Sequence, residues 1–174
     1  MAHDADWQAD LARIDGEVRF FREQSLWAIW VYRFGRRTDR RRSGIRKKLL
    51  TKVYWFFFHL VETVTGIRIP KTCQIGPGLR IWHFGSIFFH PSVKLGANCT
   101  LRQGVTIGNR WDSDDAPTVG DTVDFGAYAQ VLGKITIGDG AKIGAMTLVL
   151  IDVPPNCTAV GVPARIIQPR NAVG

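Results

Sequence analysis

The sequence contains little cysteine, and its three cysteines have the spacing neither of a metal site nor of a disulfide framework. Cys73, Cys99 and Cys157 are odd in number and lie far apart in the chain, whereas zinc sites use closely spaced pairs and secreted scaffolds use even numbers. The N-terminus, MAHDADWQADLARIDGE, also lacks the basic start and apolar run of a secretory signal. We therefore expect no metal ion and a protein of the reducing cytoplasm.

Long apolar runs are absent too. The most apolar stretch, residues 49–64, is interrupted by Lys52, His59 and Glu62 and is shorter than the ~20 residues that a membrane-spanning helix needs. A spanning helix is therefore not expected.

Acidic residues are few, and the resulting net charge of +8 is concentrated in one segment. Ten Lys or Arg lie between Arg33 and Lys52, against a single acid, Asp39. Because the remainder is nearly balanced, we expect no nucleic-acid partner. Aromatic residues flank the basic segment, which leaves two interpretations of residues 26–64. They contact a membrane surface, which would place the protein at the inner face of a membrane, or they pack on the protein body with their basic faces in solvent.

The N-terminal third of the chain has a helical pattern. We predict helices over Leu26–Arg37 and Ile45–Val64, with Ser25 and Ser43 as their N-caps. Glycine and proline then become frequent and exclude further helices. The expected organisation is a helical segment over residues 1–65, a β domain over 66–168 and a tail over 169–174.

The β domain has a period of six residues. Apolar side chains recur at this spacing in three groups, which are Ile75, Ile81 and Ile87, then Leu95, Leu101 and Ile107, then Val119, Phe125, Val131, Ile137, Ile143 and Val149. A helix with ~3.6 residues per turn would carry such residues around its surface. One short strand and one turn per hexad instead give a triangular coil of about 18 residues per rung, whose strands stack in parallel. The period predicts a parallel β-helix.

Two interruptions break this period. The spacing between Ile87 and Leu95 is eight residues, which predicts a bulged corner around His90. The segment GNRWDSDDAPT, residues 108–118, is too polar to fill the interior and is expected to form an exposed loop that faces the acceptor.

Three stretches resemble the hexapeptide-repeat acyltransferases of the serine acetyltransferase-like branch. They are IGPGLRIWHFGSIFFHPSVKLGANCTLRQGVTIG, APTVGDTVDFGAYAQVLGKITIGDGAKIGA and VPPNCTAVGVPARII. The resemblance implies a mainly β fold, a left-handed parallel β-helix with an N-terminal α-helical segment. It also implies homotrimers with active sites between adjacent subunits, and transfer of an acyl group, most simply acetyl, from coenzyme A to a hydroxyl.

Acyl transfer from a thioester to a hydroxyl needs a general base. His83 stands where the family has its catalytic histidine, and the alternative interpretation is a histidine packed structurally at a subunit interface. His90 is the competing candidate. Cys73 and Cys99 occupy compact positions expected to fill the coil, which favours direct transfer over a covalent acyl-enzyme.

Five residues are expected to bind coenzyme A. The resemblance assigns main-chain contacts with the pantetheine arm to Ala127 and Ala145 and places Asn109 near the thioester. Lys142 and Arg165 are candidates for binding the nucleotide phosphates, and the alternative interpretation of each is a solvated surface charge.

Three positions depart from the family pattern, and these departures determine which acceptor we expect. Serine acetyltransferases carry acids where this chain has Arg68 and Trp82, and a second histidine where it has Ala116. Their loss predicts a sugar, polysaccharide or glycolipid hydroxyl as acceptor, with serine as the alternative and a non-catalytic β-helix scaffold as a third interpretation. The acids of the exposed loop are Asp112, Asp114 and Asp115. We expect them to bind the substrate or to orient His83, and the alternative is that a backbone carbonyl orients His83.

Overall fold

A computed structural model describes residues 5–14, 20–111 and 115–168 of the chain. Its helices are α1 (Ala5–Leu11), α2 (Gln24–Asp39) and α3 (Ile45–Thr65). The left-handed backbone of Gly66 (φ 66°, ψ 20°) ends α3, and its N–H donates to the Glu62 carbonyl. None of the helices in the described ranges has the length and apolarity to cross a membrane.

The predicted N-caps are wrong. Helix α2 begins at Gln24, before Ser25, with Glu23 at the cap position, and α3 has Gly44 at its cap position. Neither cap makes a side-chain hydrogen bond to the helix. Ser25 is buried within the first turn of α2, and Glu23 pairs with Arg80 of the coil, so tertiary contacts fix the start of α2.

The remaining described elements are short strands that coil around one interior. They are β1 (Ile67–Arg68), β2 (Gln74–Ile75), β3 (Arg80–Ile81), β4 (Ile87–Phe89), β5 (Lys94–Leu95), β6 (Thr100–Leu101), β7 (Thr106–Gly108), β8 (Thr118–Val119), β9 (Asp124–Phe125), β10 (Gln130–Leu132), β11 (Thr136–Ile137), β12 (Lys142–Ile143), β13 (Leu148–Val149), β14 (Thr158–Val160) and β15 (Arg165–Ile167).

These strands form three sheets, one on each side of the triangular coil. Sheet A has the order β1-β4-β7-β10-β13, sheet B the order β11-β8-β5-β2, and sheet C the order β15-β14-β12-β9-β6-β3. Neighbouring strands are parallel, except that β15 pairs with β14 in the antiparallel sense. The parallel β-helix predicted from the period of six is confirmed, and so is the left hand that the family resemblance implies.

The strand register places the predicted interior residues above one another. Ile75 is opposite Leu95, which is opposite Val119 on the next rung, and all three are buried. Stacked strands thus supply each rung with backbone partners and buried neighbours, as the period requires.

The cysteines fill the coil as expected. Cys73 and Cys99 are fully buried, and their thiols donate to the carbonyls of His90 (3.2 Å) and Gly120 (3.3 Å). Burial raises the pKa of Cys73 to about 12 and that of Cys99 to about 11. Neither thiol is therefore suited to act as a thiolate nucleophile near neutral pH.

A buried ion pair fastens the helices to the first rung. Arg33 of α2 is 2% exposed, and its Nε and Nη2 lie 2.8 and 2.9 Å from the carboxylate oxygens of Asp10. Arg33 also donates to the Ile75 carbonyl at 2.9 Å, while Asp10 accepts from the Leu79 N–H at 2.8 Å. The pair thus joins α1, α2 and the coil.

The chain after β13 covers the far end of the coil. Val153 forms a β-bridge with Ile137 of sheet B. The Leu148 N–H at the edge of sheet A donates to the Gly161 carbonyl at 3.0 Å. Strands β14 and β15 complete sheet C, so a closing segment, residues 151–167, contacts the terminal strand of all three sheets.

Candidate functional site

One corner of the coil, between sheets C and A, carries His83 and both predicted pantetheine-contacting alanines. Each of these residues follows a sheet C strand by two positions. The register pairs Ile81 with Leu101 and Ile143 with Phe125, and β6 pairs with β9. The corner therefore contains a column of four residues, one from each rung, in the order His83, Gln103, Ala127 and Ala145.

Backbone hydrogen bonds follow this column. The Tyr128 N–H donates to the Gln103 carbonyl at 2.9 Å, and the Met146 N–H donates to the Ala127 carbonyl at 2.8 Å. Because adjacent strands lie about 4.8 Å apart, three rungs separate His83 from Ala145 by about 14 Å. The column is thus a straight path along the coil with an imidazole at one end.

The His83 side chain is exposed and opens into a cleft of about 550 Å³. The cleft lies between the start of α2 and the corner. Six of its lining residues are Arg22, Glu23, Trp82, His83, Phe84 and Gln103. No hydrogen bond joins the His83 ring to another residue in the described ranges, so the imidazole is available to a ligand.

Glu23 and Arg80 form an ion pair at this cleft. The Arg80 Nη1 lies 2.9 Å from the Glu23 Oε2, and the Arg80 side chain is 8% exposed. The Arg80 guanidinium also lies over the Trp82 ring, 4.5 Å from its centroid. Arg80 thereby holds both a carboxylate and an aromatic ring beside the histidine.

Other candidates for the base are less well placed. His90 lies at the bulged corner after β4, and its Nδ1 accepts a hydrogen bond from the Ser92 N–H at 3.3 Å. His59 lies on α3, with its Nδ1 3.5 Å from a carboxylate oxygen of Glu62. Of the histidines in the described ranges, His83 alone lines the cleft.

The predicted coenzyme A residues fall into three places. Ala127 and Ala145 lie in the column, where Ala145 is exposed and Ala127 partly so. Lys142 begins β12 and Arg165 begins β15, so both lie exposed on sheet C. Asn109 follows β7 at the other end of sheet A, where its Nδ2 donates to the Trp111 carbonyl. A single chain therefore does not bring Asn109 to the column.

The loop acids are only partly described. Asp115 is partly exposed and precedes β8, on the same corner as Asn109 and away from His83 of the same chain. Asp112 and Asp114 lie outside the described residues. The predicted role of these three acids stays a prediction.

The three positions that depart from the family are occupied as follows. Arg68 donates to Glu62 at 2.7 Å, and its guanidinium lies over the rings of Phe58 and Phe88. Trp82 stacks on Arg80, and Ala116 packs against the core. None of the three reproduces the missing acid or histidine.

Sequence reasoning missed three cleft residues. Gln103 was detectable, because it stands at the position of His83 one rung later. Arg22 and Glu23 carry no motif, since 57 positions of chain separate Glu23 from its partner Arg80. In the described parts of the chain, no cluster of His, Cys, Asp or Glu is arranged to hold a metal ion.

Comparisons of sequence and of structure with known proteins agree on the proteins that this chain is similar to. A scan against models of protein families gives no match. Serine acetyltransferase of Bacillus subtilis is 35% identical over 144 residues, which are 82% of this chain and 63% of that protein. Serine acetyltransferase of Helicobacter pylori is also 35% identical over 144 residues, covering 82% of this chain and 80% of that protein. The chain thus spans less than two thirds of the Bacillus relative.

Solved structures agree with the sequence matches. Serine acetyltransferase of Neisseria gonorrhoeae in complex with serine superposes with a TM-score of 0.77 at 30% identity, covering 94% of this chain and 66% of that chain. A serine acetyltransferase in complex with CoA superposes with a TM-score of 0.75 at 28% identity, covering 94% of this chain and 67% of that chain.

These matches overturn the expected acceptor. We predicted a sugar, polysaccharide or glycolipid hydroxyl from the losses at Arg68, Trp82 and Ala116, but the relatives and structures named above are serine acetyltransferases. The prediction was wrong because it read the loss of side chains at three aligned positions as a change of acceptor. It did not consider residues outside those positions, such as Arg22 and Glu23, which precede α2 and line the cleft together with His83. The alternative prediction, serine, is the one that the matches favour, and the chain belongs to the serine acetyltransferase family.

Proposed function

We propose that this protein transfers an acetyl group from acetyl-CoA to the hydroxyl of serine, with His83 as general base. The observation that carries the proposal is the position of His83. It is an exposed imidazole in a cleft at one end of a column that also contains Ala127 and Ala145, in a chain related to serine acetyltransferases over most of its length.

The chemistry requires one proton to move twice. The neutral His83 imidazole accepts the serine hydroxyl proton as the hydroxyl oxygen bonds to the thioester carbonyl carbon. The carbon–sulfur bond then breaks, and the departing CoA sulfur takes the proton from the imidazolium. Transfer is direct, because the buried thiols of Cys73 and Cys99 have raised pKa values and do not open into the cleft.

The corner column is the proposed path of the pantetheine arm. Ala127 and Ala145 have small side chains, which allow a ligand to approach the backbone closely. Because Ala145 is exposed, the column lies on the surface of the coil, and the arm would bind along this surface rather than inside the coil. Lys142 and Arg165 supply positive charge on the neighbouring sheet for the nucleotide phosphates.

We also propose that the active unit is a homotrimer in the cytoplasm, with each site between two subunits. Within one chain, His83 lies at the corner between sheets C and A, whereas Asn109 and Asp115 lie at the corner between sheets A and B. A site that uses both corners needs two chains side by side, which supports the subunit arrangement implied by the resemblance.

Helix α3 supports a further proposal, contact with a membrane surface. Its face opposite the buried Tyr54 and Phe58 is apolar and exposed, with residues at helical spacing. The exposed apolar residues of this face are Ile45, Leu49, Phe56, Leu60 and Val64. Arg46, Lys48 and Lys52 accompany them, and an apolar face with adjoining cations is typical of helices that lie on anionic lipid.

The activity is tested by measuring release of the CoA thiol from acetyl-CoA with and without L-serine. We expect serine-dependent release, and we expect His83→Ala to lower kcat by roughly 100- to 10,000-fold, the usual contribution of a general base. His59→Ala is the matched control, because this histidine is exposed on α3, outside the cleft.

Two outcomes would contradict the proposal. Absence of serine-dependent release in the folded wild-type protein would exclude serine as acceptor. Full activity in His83→Ala, with circular dichroism and oligomer size unchanged, would exclude His83 as the base. A protein without any transferase activity would instead be a scaffold.

A further inference from the structure

The cleft beside His83 contains a pair of oppositely charged neighbours that the family resemblance does not assign. Arg22 and Glu23 precede α2 and line the cleft together with His83. We propose that Glu23 binds the α-ammonium group of the acceptor serine and that Arg22 binds its α-carboxylate. This inference rests on the proposed function and names the residues that make the site specific for an amino acid.

The position of Glu23 is fixed by Arg80. The ion pair is 2.9 Å long and involves only one carboxylate oxygen, Oε2. The Glu23 side chain is 29% exposed while that of Arg80 is 8% exposed. The buried guanidinium of Arg80 therefore fixes the position of the more exposed Glu23 carboxylate. The second oxygen, Oε1, makes no hydrogen bond within the described residues and is free to accept one from an ammonium group.

The cleft also contains an unsatisfied acceptor. The Gln103 Oε1 is buried and has no hydrogen-bond partner among the described residues. Buried polar atoms are normally paired, so an atom left without a partner beside a cleft indicates a missing donor. The α-ammonium group of serine is a donor of three hydrogen bonds, and Glu23 Oε1 is one acceptor for it. Gln103 Oε1 becomes a second acceptor when its side chain rotates from its buried position into the cleft.

The charges match the chemistry of a free amino acid. At neutral pH serine carries a positive ammonium group and a negative carboxylate group on the same α-carbon, and its hydroxyl is on the adjacent β-carbon. Arg22 and Glu23 are consecutive residues that offer one charge of each sign, and His83 lines the same cleft to receive the hydroxyl proton. A sugar hydroxyl has no charged groups that would satisfy these side chains.

Glu23→Gln tests the proposal. We expect the KM for L-serine to rise roughly 10- to 100-fold, as for loss of one charge-assisted hydrogen bond, while kcat and the KM for acetyl-CoA stay close to the wild-type values. Asp39→Asn is the matched control, because Asp39 forms a similar pair with Lys71 at 2.7 Å at the other end of α2, and this variant should keep the wild-type KM for serine.

Arg22→Gln provides a second measurement that does not disturb the Glu23–Arg80 pair. It should raise the KM for L-serine but leave that for L-serinamide unchanged, because serinamide has no carboxylate. An equal rise for both acceptors would overturn the role of Arg22. A wild-type KM for serine in folded Glu23→Gln would overturn the role of Glu23.

The inference and the proposed function fail in different ways. If the wild-type protein shows no serine-dependent release of CoA, the proposed function is wrong, and the inference is overturned with it. If the wild-type protein is active and both cleft variants keep their KM for serine, only the inference is overturned.

Discussion

Replacing Asp10 with asparagine tests how the helices are held on the coil. The change removes one charge from a pair whose members are almost fully buried, with Asp10 1% and Arg33 2% exposed. Arg33 keeps its bonds to the Ile75 and Gly76 carbonyls and a longer ion pair with Asp6 at 3.7 Å, but it loses the carboxylate that contacts it at 2.8 and 2.9 Å. A buried charge left without its partner costs about 3–5 kcal/mol of unfolding free energy.

Asp39→Asn gives the matched comparison. The Asp39 carboxylate is 39% exposed, whereas its partner Lys71 is 11% exposed. Because water reaches one member of this pair, its contribution should lie closer to that of exposed ion pairs, about 0–1 kcal/mol, than to that of buried ones, about 3–5 kcal/mol. Both variants exchange a carboxylate for an amide, so the difference between them isolates burial. We therefore expect Asp10→Asn to be the more destabilised by at least about 2 kcal/mol.

The assay is urea unfolding followed by far-UV circular dichroism. All variants are compared at one protein concentration, because the stability of an oligomer depends on concentration. If Asp10→Asn unfolded within about 1 kcal/mol of the wild type, the pair would not stabilise the joint between α1, α2 and the first rung, and our reasoning on it would be refuted.

Three further predictions concern the thiols and α3. Iodoacetamide should label Cys73 and Cys99 slowly in the folded protein at pH 8 and rapidly after unfolding, because burial raises their pKa values to about 12 and about 11; fast labelling of the folded chain would contradict this. Since these pKa values lie above the ordinary value of 9.0, the unfolding free energy should fall as pH rises from about 9 toward 11 and 12, and less steeply in Cys73→Ala. The protein should also sediment with phosphatidylserine vesicles but not with phosphatidylcholine vesicles, and Phe56→Ser with Leu60→Ser should abolish this; equal sedimentation of both forms would exclude α3 as the contact.

The coil could be predicted from the sequence because its interior is a local property. Each hexad places one apolar side chain inward, so Ile75, Leu95 and Val119 could be assigned to the core without knowing how the rungs meet. The position of His83 followed from the same period together with the family motif. The prediction of the core uses only the spacing of residues along the chain, and the prediction of His83 adds the family resemblance to it.

The missed features depend on contacts between distant parts of the chain. Ser25 is a residue type that is common at N-caps, but α2 begins earlier, at Gln24. The residue at its cap position, Glu23, forms an ion pair with Arg80 of the coil. The acceptor was mispredicted for a related reason. The sequence shows which side chains are lost at the aligned positions, whereas it does not show that Arg22 and Glu23, which precede α2, line the same cleft as His83.

The closing segment, residues 151–167, has a consequence for how copies of the chain associate. An open end of a parallel coil would present rows of free N–H and C=O groups on three sides, and such edges recruit strands from other molecules. Here Val153, Gly161 and β14 with β15 occupy those rows. Sheets A and B are thereby covered at this end. Among the described strands there, β15 at the edge of sheet C is the one that a strand of another molecule could extend, so stacking of whole coils end to end is disfavoured.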